Sequence, residues 1–261
     1  MIKNIKLFVN DNIKSKKVSK EVKEKFIKNG FNVVEEDFDL AIAIGGDGSF
    51  LRMVHKNKFN SKICYVGINS GTLGFSQDVN IIDIDIFIQE LKNNKFSIEE
   101  VCVEETIIKT SDKEYKLCSL NEIVIRKSDL KTIKFDINVN GNFLEKYTGD
   151  ALLISTPFGS TAENLSYNGC VVYNIPSLQI TPIGPINSSK YNTLKNSILV
   201  PNNCNIELIF NGLDIYVISD GKKKKYKNVL KIITKVRDDN IKFLRLSNYN
   251  FENKINTKML N

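Results

Sequence analysis

The chain has 261 residues, of which 42% are hydrophobic and 26% are charged, and its formal net charge at neutral pH is +7. A chain of this size has enough material for one large domain or two modest domains with buried cores. Its apolar runs all fall short of the roughly 20 residues that span a bilayer, and lysines interrupt the apolar start of the chain. The composition therefore predicts a soluble, cytoplasmic protein that has no membrane partner.

The distribution of cysteine, histidine and lysine excludes further classes of protein. The 5 cysteines are scattered and form no Cys-x-x-Cys pair, which argues against a disulfide framework and against a bound zinc ion. The single histidine, His55, leaves at most one place for a Ser-His-Asp triad. Consecutive lysines at 222–225 are predicted to form a solvated loop, since no basic face with interleaved aromatic residues accompanies them. We therefore predict no protein-bound metal and no nucleic-acid partner.

Short apolar runs alternate with helical patterns over residues 1–97. In the first helical pattern, Val18, Val22 and Phe26 recur every four residues, as expected for one buried helix face. Strands that alternate with helices indicate a parallel sheet with helices packed against it. This region is therefore predicted to be an α/β domain. Its predicted strands are 5–9, 31–34, 40–44 and 63–68, and its predicted helices are 15–29 and 84–91.

After residue 97 the pattern becomes rich in strands. Asn-Gly pairs at 140–141 and 211–212 each lie between alternating apolar segments, which predicts two β-hairpins. Further strands are predicted at 229–233 and 241–244. Residues 98–247 are therefore predicted to form a β-rich domain, and the four-residue apolar spacing in the tail 248–261 predicts a short helix there.

Gly45, Gly46, Asp47 and Gly48 follow the strand predicted at 40–44 and precede a helical segment. Glycines allow the backbone to approach a ligand closely, and a helix N-terminus favours phosphate. A carboxylate in such a loop would repel phosphate, so Asp47 is predicted to handle a proton, a metal ion or a sugar hydroxyl. Four residues alone are also compatible with an ordinary Asp-Gly turn.

Three further blocks have the composition of a nucleotide site, although the P-loop and G-x-G-x-x-G signatures are both missing. Residues 69–75 follow the strand at 63–68, at the carboxyl edge where the glycine loop also lies. Asn121 and Glu122 open a strand and offer donors and acceptors to ribose hydroxyls or an adenine edge. Residues 149–166 run from a buried strand through a Pro-Gly turn into a helix that begins near Ser160 or Thr161.

With these blocks in this order, the chain resembles the NAD kinase family over most of its length. The resemblance rests on residues 45–48, 69–75, 121–122, 150–166, 180–183 and 220–221. It implies an α/β domain of residues 1–97, a sandwich-like β domain of residues 98–247, and a tail, 248–261, that returns to the first domain. It also implies the transfer of a phosphoryl group from ATP to the 2′-hydroxyl of the adenosine ribose of NAD, which yields NADP and ADP.

The resemblance further implies roles for individual residues. Asp47 is expected to orient and deprotonate the ribose hydroxyl, while Mg²⁺ carried with ATP neutralises phosphate charge. Asn121 and Glu122 are expected on the ribose and adenine of NAD, and Asp150 on its nicotinamide half. Arg52 is a candidate phosphate contact, with a surface arginine as the alternative. The other expected nucleotide contacts are Gly45, Gly46, Gly48, Asn69, Gly71, Phe75, Thr148, Ser155, Gly159, Thr161, Ala162, Glu163, Asn164, Leu165 and Ser166.

Three positions depart from the family pattern. Glu163 stands where tyrosine is frequent, so an aromatic platform for the base is lost there. We hypothesise that Tyr167, four residues further on, partly replaces this ring if the helix continues. Thr148 stands where some relatives have arginine, and Lys222 stands where glutamine is frequent. These departures affect the expected affinity and donor choice more than the reaction.

Two alternative functions share part of these features. A lipid kinase of the diacylglycerol type has the same glycine loop, but it would need an apolar acceptor cleft that the sequence does not indicate. A dinucleotide sensor without catalytic activity would have no need of the Asp47 carboxylate. The family resemblance also implies a homodimer or homotetramer. It leaves open whether ATP or polyphosphate is the donor and whether NAD or NADH is the acceptor.

Overall fold

The computed structural model describes residues 2–70 and 74–260, which divide into two compact units. The first unit runs to Val101 and resumes at Asn240, and the second unit is Cys102–Asp239. Within the described ranges, no helix combines the length and the apolar character that crossing a membrane requires. Each unit contains one sheet with a buried apolar core.

The strands are β1 (Asn4–Val9), β2 (Asn32–Val33), β3 (Leu40–Gly45), β4 (Cys64–Asn69), β5 (Val79–Asn80), β6 (Phe96–Val101), β7 (Glu104–Thr110), β8 (Glu114–Ser119), β9 (Glu122–Lys127), β10 (Ile133–Val139), β11 (Asn142–Gly149), β12 (Ala151–Ser155), β13 (Ser177–Ile183), β14 (Ile198–Pro201), β15 (Ile206–Ser219), β16 (Lys222–Val236) and β17 (Ile241–Leu246). The α-helices are α1 (Ile13–Lys28), α2 (Asp47–Lys56), α3 (Ile84–Lys92), α4 (Glu163–Ser166) and α5 (Phe251–Ile255). Turns of 3₁₀-helix lie at Ile81–Asp83 and Phe158–Thr161, and a π-helical turn lies at Asn256–Leu260.

The sheet of the first unit is mostly parallel, in the order β2-β1-β3-β4-β17-β6, with β5 beside β4. Phe26 of α1 and Phe87 of α3 share a core with Leu244 of β17. The adjacent Phe243 instead contacts Phe50 of α2, with ring centroids 5.0 Å apart. Because neighbouring residues of a strand point to opposite faces, α2 covers the face opposite to α1 and α3. The α/β architecture predicted for this region is confirmed.

One strand belongs to a different sheet from the one that the sequence pattern suggests. The prediction includes 241–244 in the β-rich domain, but this segment forms β17 in the first unit. Lys242 lies opposite Cys64 of β4 in parallel register and opposite Glu100 of β6 in antiparallel register. Alternating apolar residues predict a strand without specifying its partner, since both sheets bury such residues.

The sheet of the second unit is antiparallel, in the order β14-β13-β12-β9-β15-β16-β7-β8, and β10 joins β11 to β15. The hairpin predicted at 140–141 is present between β10 and β11. Asn140 and Gly141 both have positive φ angles, 52° and 78°, which the tight hairpin turn requires. The β-rich architecture of this region is therefore also confirmed.

Two other predictions in this region are wrong. The hairpin predicted at 211–212 is a bulge inside the continuous strand β15, where the register with β16 shifts between Ile209 and Leu213. The chain instead turns at Asp220 and Gly221, whose φ angles are 46° and 75°. The lysines at 222–225 consequently begin β16 rather than a loop, although their side chains are exposed. Both errors have the same cause. Asn-Gly at 211–212 and Asp-Gly at 220–221 are equally good turn signals, and the turn forms at the second pair.

Candidate functional site

The glycine loop lies where a parallel strand passes into a helix. β3 ends at Gly45, Gly46 is the N-cap residue of α2, and Asp47 opens the helix. A Cβ atom at Gly45 would collide with the side chain of Ser49, whose own Cβ would be only 2.8 Å away. Gly45 therefore permits the close approach of β3 to the first turn of α2. Asn69, the last residue of β4, lies opposite Gly45 in register, so both residues end their strands at one sheet edge.

The carboxylate of Asp47 holds a neighbouring backbone segment. Its Oδ2 accepts a hydrogen bond from the N–H of Phe75 at 2.9 Å, and its Oδ1 accepts one from the N–H of Ser76 at 2.6 Å. A carboxylate has about four lone-pair positions, so this arrangement leaves acceptor capacity for a ligand. Asp47 is thus oriented as an acceptor at the start of a helix.

Arg52 and the segment 69–75 were both predicted to contribute to this site. The guanidinium of Arg52 donates to Oδ1 of Asn10 at 3.2 Å and to Oγ of Ser49 at 3.0 Å, so it lies across the first turn of α2. Phe75 is adjacent to Asp47 through its backbone N–H. Gly71 lies outside the described residues.

In the second unit, Asp220 fixes the backbone of the Asn121-Glu122 pair. Its carboxylate accepts hydrogen bonds from the N–H groups of Leu120, Asn121 and Glu122 at 2.8, 2.7 and 3.4 Å. Glu122 also lies opposite Ser155 in the register of β9 and β12. Asp220 was not predicted to have a role of its own, although residues 220–221 are part of the family resemblance.

Gly159 is required by the same backbone. A Cβ atom at Gly159 would collide with the carbonyl of Asn121, whose Cα would be 2.6 Å away. Thr156 stabilises this close approach, since its N–H donates to the Asn121 carbonyl at 2.9 Å and its Oγ1 accepts from the N–H of Gly159 at 3.1 Å. The turn after β12 therefore packs directly onto the Asn121-Glu122 pair.

Two buried acceptors at this pair have no hydrogen-bond partner among the described residues: Oδ1 of Asn121 and Oε2 of Glu122. Only 3% of Glu122 is exposed. Burial, followed by the charges of Asp220 and Glu163, raises the pKa of Glu122 to about 8. Glu122 therefore carries a proton at neutral pH and offers one donor and one acceptor. Unpartnered buried polar atoms are costly, and a ligand can supply the missing partners.

Glu104 is a buried acid that was not predicted from the sequence patterns. It is completely buried at the start of β7, opposite Ser119 of β8, and its Oε2 has no partner among the described residues. Burial, followed by the charges of Asp220 and Glu122, raises the pKa of Glu104 well above its usual value. The carboxyl groups of Glu104, Glu122 and Asp220 thus form one acidic cluster. A charged residue within an apolar strand pattern was its only sequence signal.

The turn after β12 exposes most of its predicted ligand contacts. Phe158–Thr161 forms a 3₁₀-helix, and α4 is a single turn that ends at Ser166. Gly159 and Asn164 are buried instead, and Oδ1 of Asn164 accepts a hydrogen bond from Thr181 Oγ1 at 2.6 Å. Tyr167 lies beyond the end of α4. The helix therefore does not continue to Tyr167, which was the condition for this ring to replace the aromatic residue missing at position 163. The side chains of Thr161, Ala162, Glu163, Leu165 and Ser166 are at least partly exposed.

Asp150 and Thr148 lie on either side of the end of β11. Asp150 is exposed, and a Cβ atom on Gly184 would collide with its carboxylate. Thr148 is buried, and its Oγ1 has no hydrogen-bond partner within the described chain. In the described ranges, no group of three His, Cys, Asp or Glu side chains is arranged to hold a metal ion.

Comparisons with known proteins agree across both units. The family model described as the ATP-NAD kinase N-terminal domain matches residues 1–96, and the ATP-NAD kinase C-terminal domain matches residues 120–238. An NAD kinase of Finegoldia magna is 41% identical over 239 residues, which cover 87% of each chain. An NAD kinase of Streptococcus agalactiae is 34% identical over 245 residues, which cover 92% of this chain and 88% of the relative.

Two crystal structures share the fold at low sequence identity. The yeast NADH kinase complexed with NADH aligns with a TM-score of 0.86 and 18% identity, covering 99% of this chain and 87% of the yeast chain. An NAD kinase from Archaeoglobus fulgidus in complex with ATP aligns with a TM-score of 0.74 and 20% identity, covering 93% of each chain. The arrangement of strands and helices described above is therefore an established fold.

Proposed function

This chain belongs to the NAD kinase family and is an enzyme that phosphorylates NAD, and we propose that Asp47 is the base that faces the 2′-hydroxyl of the adenosine ribose. The observation that carries the proposal is the Asp47 carboxylate, which two backbone amides orient at the N-terminus of α2. A ribose hydroxyl becomes a competent nucleophile once a positioned acceptor takes its proton. Asp47 has acceptor capacity left for that proton.

ATP is the proposed phosphoryl donor, and the loop around Asp47 is its proposed phosphate site. The N-terminus of α2 and the glycines at 45, 46 and 48 offer backbone N–H groups to phosphate. Arg52 already donates to Asn10 and Ser49 above this loop, so a phosphate contact would require it to exchange one of these partners. Mg²⁺ enters as part of the ATP substrate, bound through phosphate oxygens, as is usual for this ion.

NAD is the proposed acceptor, held by the second unit through Asn121 and Glu122. Their unpartnered oxygens support this assignment, because a ribose hydroxyl both donates and accepts hydrogen bonds and an adenine amine donates them. Thr148 Oγ1 is a third unpartnered buried atom in this unit. The partly exposed turn 158–166 and the exposed carboxylate of Asp150 are the remaining proposed contacts with the dinucleotide.

A homodimer or homotetramer in the cytoplasm is proposed for the protein in the cell. Exposed apolar side chains that include Leu165, Val171, Ile175 and Leu199 support self-association through the second unit. All five cysteines are free thiols, which suits a reducing compartment. Sedimentation velocity would test the association, and a monomer at micromolar concentration would contradict it.

The direct test is an assay of NADP formed from NAD, ATP and Mg²⁺ by the purified protein. With Asp47→Asn we expect turnover to fall by about 10³-fold, because general base catalysis typically contributes 10²–10⁴-fold. NAD binding, measured by calorimetry, should persist in this variant. Asp238→Asn, at an exposed carboxylate of the second unit, is the matched control. Full activity of Asp47→Asn would contradict the assignment of the base.

The same assay distinguishes the alternatives. Replacing ATP by polyphosphate, or NAD by NADH, tests the donor and the acceptor separately. A folded protein that binds NAD without forming NADP would be a dinucleotide sensor. The relatives support NAD as the substrate and give no support to a lipid acceptor.

A further inference from the structure

We propose that the segment from Tyr249 to Lys254 positions the loop at 74–78, whose backbone holds the Asp47 carboxylate. Lys254 is thus a positioning residue for Asp47. This inference rests on the proposed role of Asp47 as the base. It concerns residues that neither touch the reacting atoms nor belong to the predicted site. Lys254 acts through a short chain of contacts that begins at the Asp47 carboxylate.

The first link joins Asp47 to the loop at 74–78. Both carboxylate oxygens are held by backbone amides of Phe75 and Ser76, at 2.9 and 2.6 Å. The angle at which the carboxylate meets a substrate hydroxyl therefore depends on where this loop lies. A displacement of the loop would rotate the carboxylate or break one of its hydrogen bonds.

The second link joins the end of the loop to α5 through buried charges. The Asp78 carboxylate lies 2.5 Å from Nζ of Lys254 and also pairs with Arg245 of β17. Arg245 in turn pairs with Glu99 of β6 at 2.5 Å. Only 6% of the Asp78 side chain and 8% of the Lys254 side chain are exposed. Two cations and two anions thus form a neutral network, of which Lys254 is the only member on α5.

The third link is aromatic and involves the same loop residue whose N–H holds Asp47. The ring of Phe75 meets the ring of Phe251 edge-on, with centroids 6.2 Å apart. The ammonium of Lys254 lies 4.9 Å from the Phe75 ring centroid and 5.2 Å from that of Tyr249. Phe251 and Lys254 of α5 therefore contact the side chain of Phe75, whereas Asp47 contacts its backbone N–H.

The centre of the loop is held weakly by its own side chains. Both polar atoms of the buried Gln77 carboxamide have no hydrogen-bond partner among the described residues. The carboxamide lies between two glycines, since a Cβ at Gly67 would be 3.2 Å from its Cδ and a Cβ at Gly74 would be 3.1 Å from its Oε1. A backbone hydrogen bond from the N–H of Asp78 to the Gly67 carbonyl, at 3.1 Å, ties the end of the loop to β4. The Phe75 and Asp78 contacts with α5 are therefore a main determinant of the loop's position.

The test compares Lys254→Met, which removes the charge but keeps a long side chain, with Lys254→Arg and with Lys258→Met on the following turn. Lys254→Met leaves Asp78 paired with Arg245, so the fold is expected to survive. We expect kcat of Lys254→Met to fall by about tenfold, since small misplacements of catalytic groups have such effects. The KM values for NAD and ATP should stay within about twofold, because ground-state binding is unchanged. Lys254→Arg should recover most of the activity, and Lys258→Met should match the parent.

The split between kcat and KM, together with the rescue by Lys254→Arg, separates positioning from a loss of stability. The double variant Asp78→Asn/Lys254→Met, which is again neutral, should lose less activity than the two single variants predict together. Circular dichroism at the assay temperature confirms that each variant is folded. Should Lys254→Met fail to fold, Phe251→Leu supplies the same comparison through the aromatic link.

The inference fails if folded Lys254→Met, or Phe251→Leu in its place, has the kcat of the parent, or if Lys258→Met loses as much activity. The proposed function is judged separately by Asp47→Asn. An inactive Asp47→Asn beside a fully active Lys254→Met would overturn the positioning role alone. An active Asp47→Asn would overturn both, because no base would then remain to be positioned.

Discussion

Asp47 in the first unit and Asp220 in the second perform the same structural task in different surroundings. Each carboxylate accepts hydrogen bonds from consecutive backbone N–H groups and thereby fixes a loop. Asp47 lies at the first turn of α2, where the helix dipole favours negative charge. Asp220 instead lies beside Glu104 and Glu122, whose pKa values are raised by burial and, after it, by the charge of Asp220. In the first unit, the helix dipole of α2 thus compensates the charge of the carboxylate. In the second unit, the carboxylate lies among other acidic groups.

The two units also balance further buried acids by different means. In the first unit, cations balance the buried Asp78, since Arg245 and Lys254 both pair with it. In the second unit, the raised pKa values of Glu104 and Glu122 indicate that protons do so. A cation is a permanent partner, whereas a proton leaves as the pH rises. Acid–base behaviour near neutral pH should therefore belong mainly to the second unit.

The largest expected effect concerns Asp220→Ala. This variant leaves up to three backbone donors without their acceptor, at about 1–3 kcal/mol each when buried. We expect the free energy of unfolding to fall by about 3 kcal/mol, with a loss of NAD binding because the Asn121-Glu122 backbone is released. Urea denaturation measures the first effect and calorimetry the second. Asp238→Ala is the matched control, and equal stabilities of the two variants would show that Asp220 does not hold this loop.

Smaller effects on the free energy of unfolding are expected when glycines of the two units are replaced by alanine. Gly159→Ala forces a Cβ against the backbone of Asn121, which has little freedom to move, and should cost about 2–3 kcal/mol. Gly45→Ala meets the Ser49 side chain and should cost less. Gly48→Ala, inside α2 with only an ordinary contact to Arg52, should keep or increase stability. Thermal melts of the three variants would contradict this ranking if Gly45→Ala were the least stable.

The pH dependence of stability tests the acidic cluster of the second unit. The pKa of Glu122 is raised from 4.5 to about 8, so the folded state binds this proton more tightly than the unfolded state does. Its contribution to stability is therefore complete below pH 4.5 and is lost as the pH rises to about 8. Glu122→Gln should consequently be more stable than the parent at pH 9, by about 1 kcal/mol or more. Glu24→Gln, on the exposed surface of α1, should show no such gain, and an unchanged pH profile in Glu122→Gln would contradict the assignment.

The smallest expected effect concerns Glu163→Gln. The charge of Glu163 contributes to the raised pKa of Glu122, after burial and Asp220. Its removal should therefore move the pH transition assigned to Glu122 downward by less than about one unit. The same melts across pH provide the measurement. An upward shift would mean that the two carboxyl groups do not repel each other.

Much of the fold was predictable because local patterns and tertiary structure agree. The strand at 151–155, the turn that follows it and the hairpin at 140–141 all lie where the sequence indicates. The pattern failed where one signal fits two structures, as in the bulge at 211–212 and the lysine strand at 222–225. Partner choice, as for β17, depends on contacts between distant residues that no local pattern contains.

The candidate site was predictable in its residues but not in their partners. The motif around Asp47 indicated chemistry, yet its hydrogen bonds to Phe75 and Ser76 depend on the close packing of two loops. Asn164 belongs to the predicted nucleotide-binding block, but its side chain is committed to Thr181 inside the unit. Glu104 was missed because a buried acid in a strand is rare, and composition alone gives such a residue no reason to be buried.

The lysine run at the start of β16 has a consequence for the behaviour of the protein in concentrated solution. Its pairing with β7 begins only at Val229, and in the described register the four lysines at 222–225 pair with β15. A one-sided strand of this kind can recruit a strand from another molecule and start aggregation. Lysine ammonium groups along such an edge repel a second copy that carries the same charges. The four lysines therefore disfavour aggregation of the protein through this sheet edge.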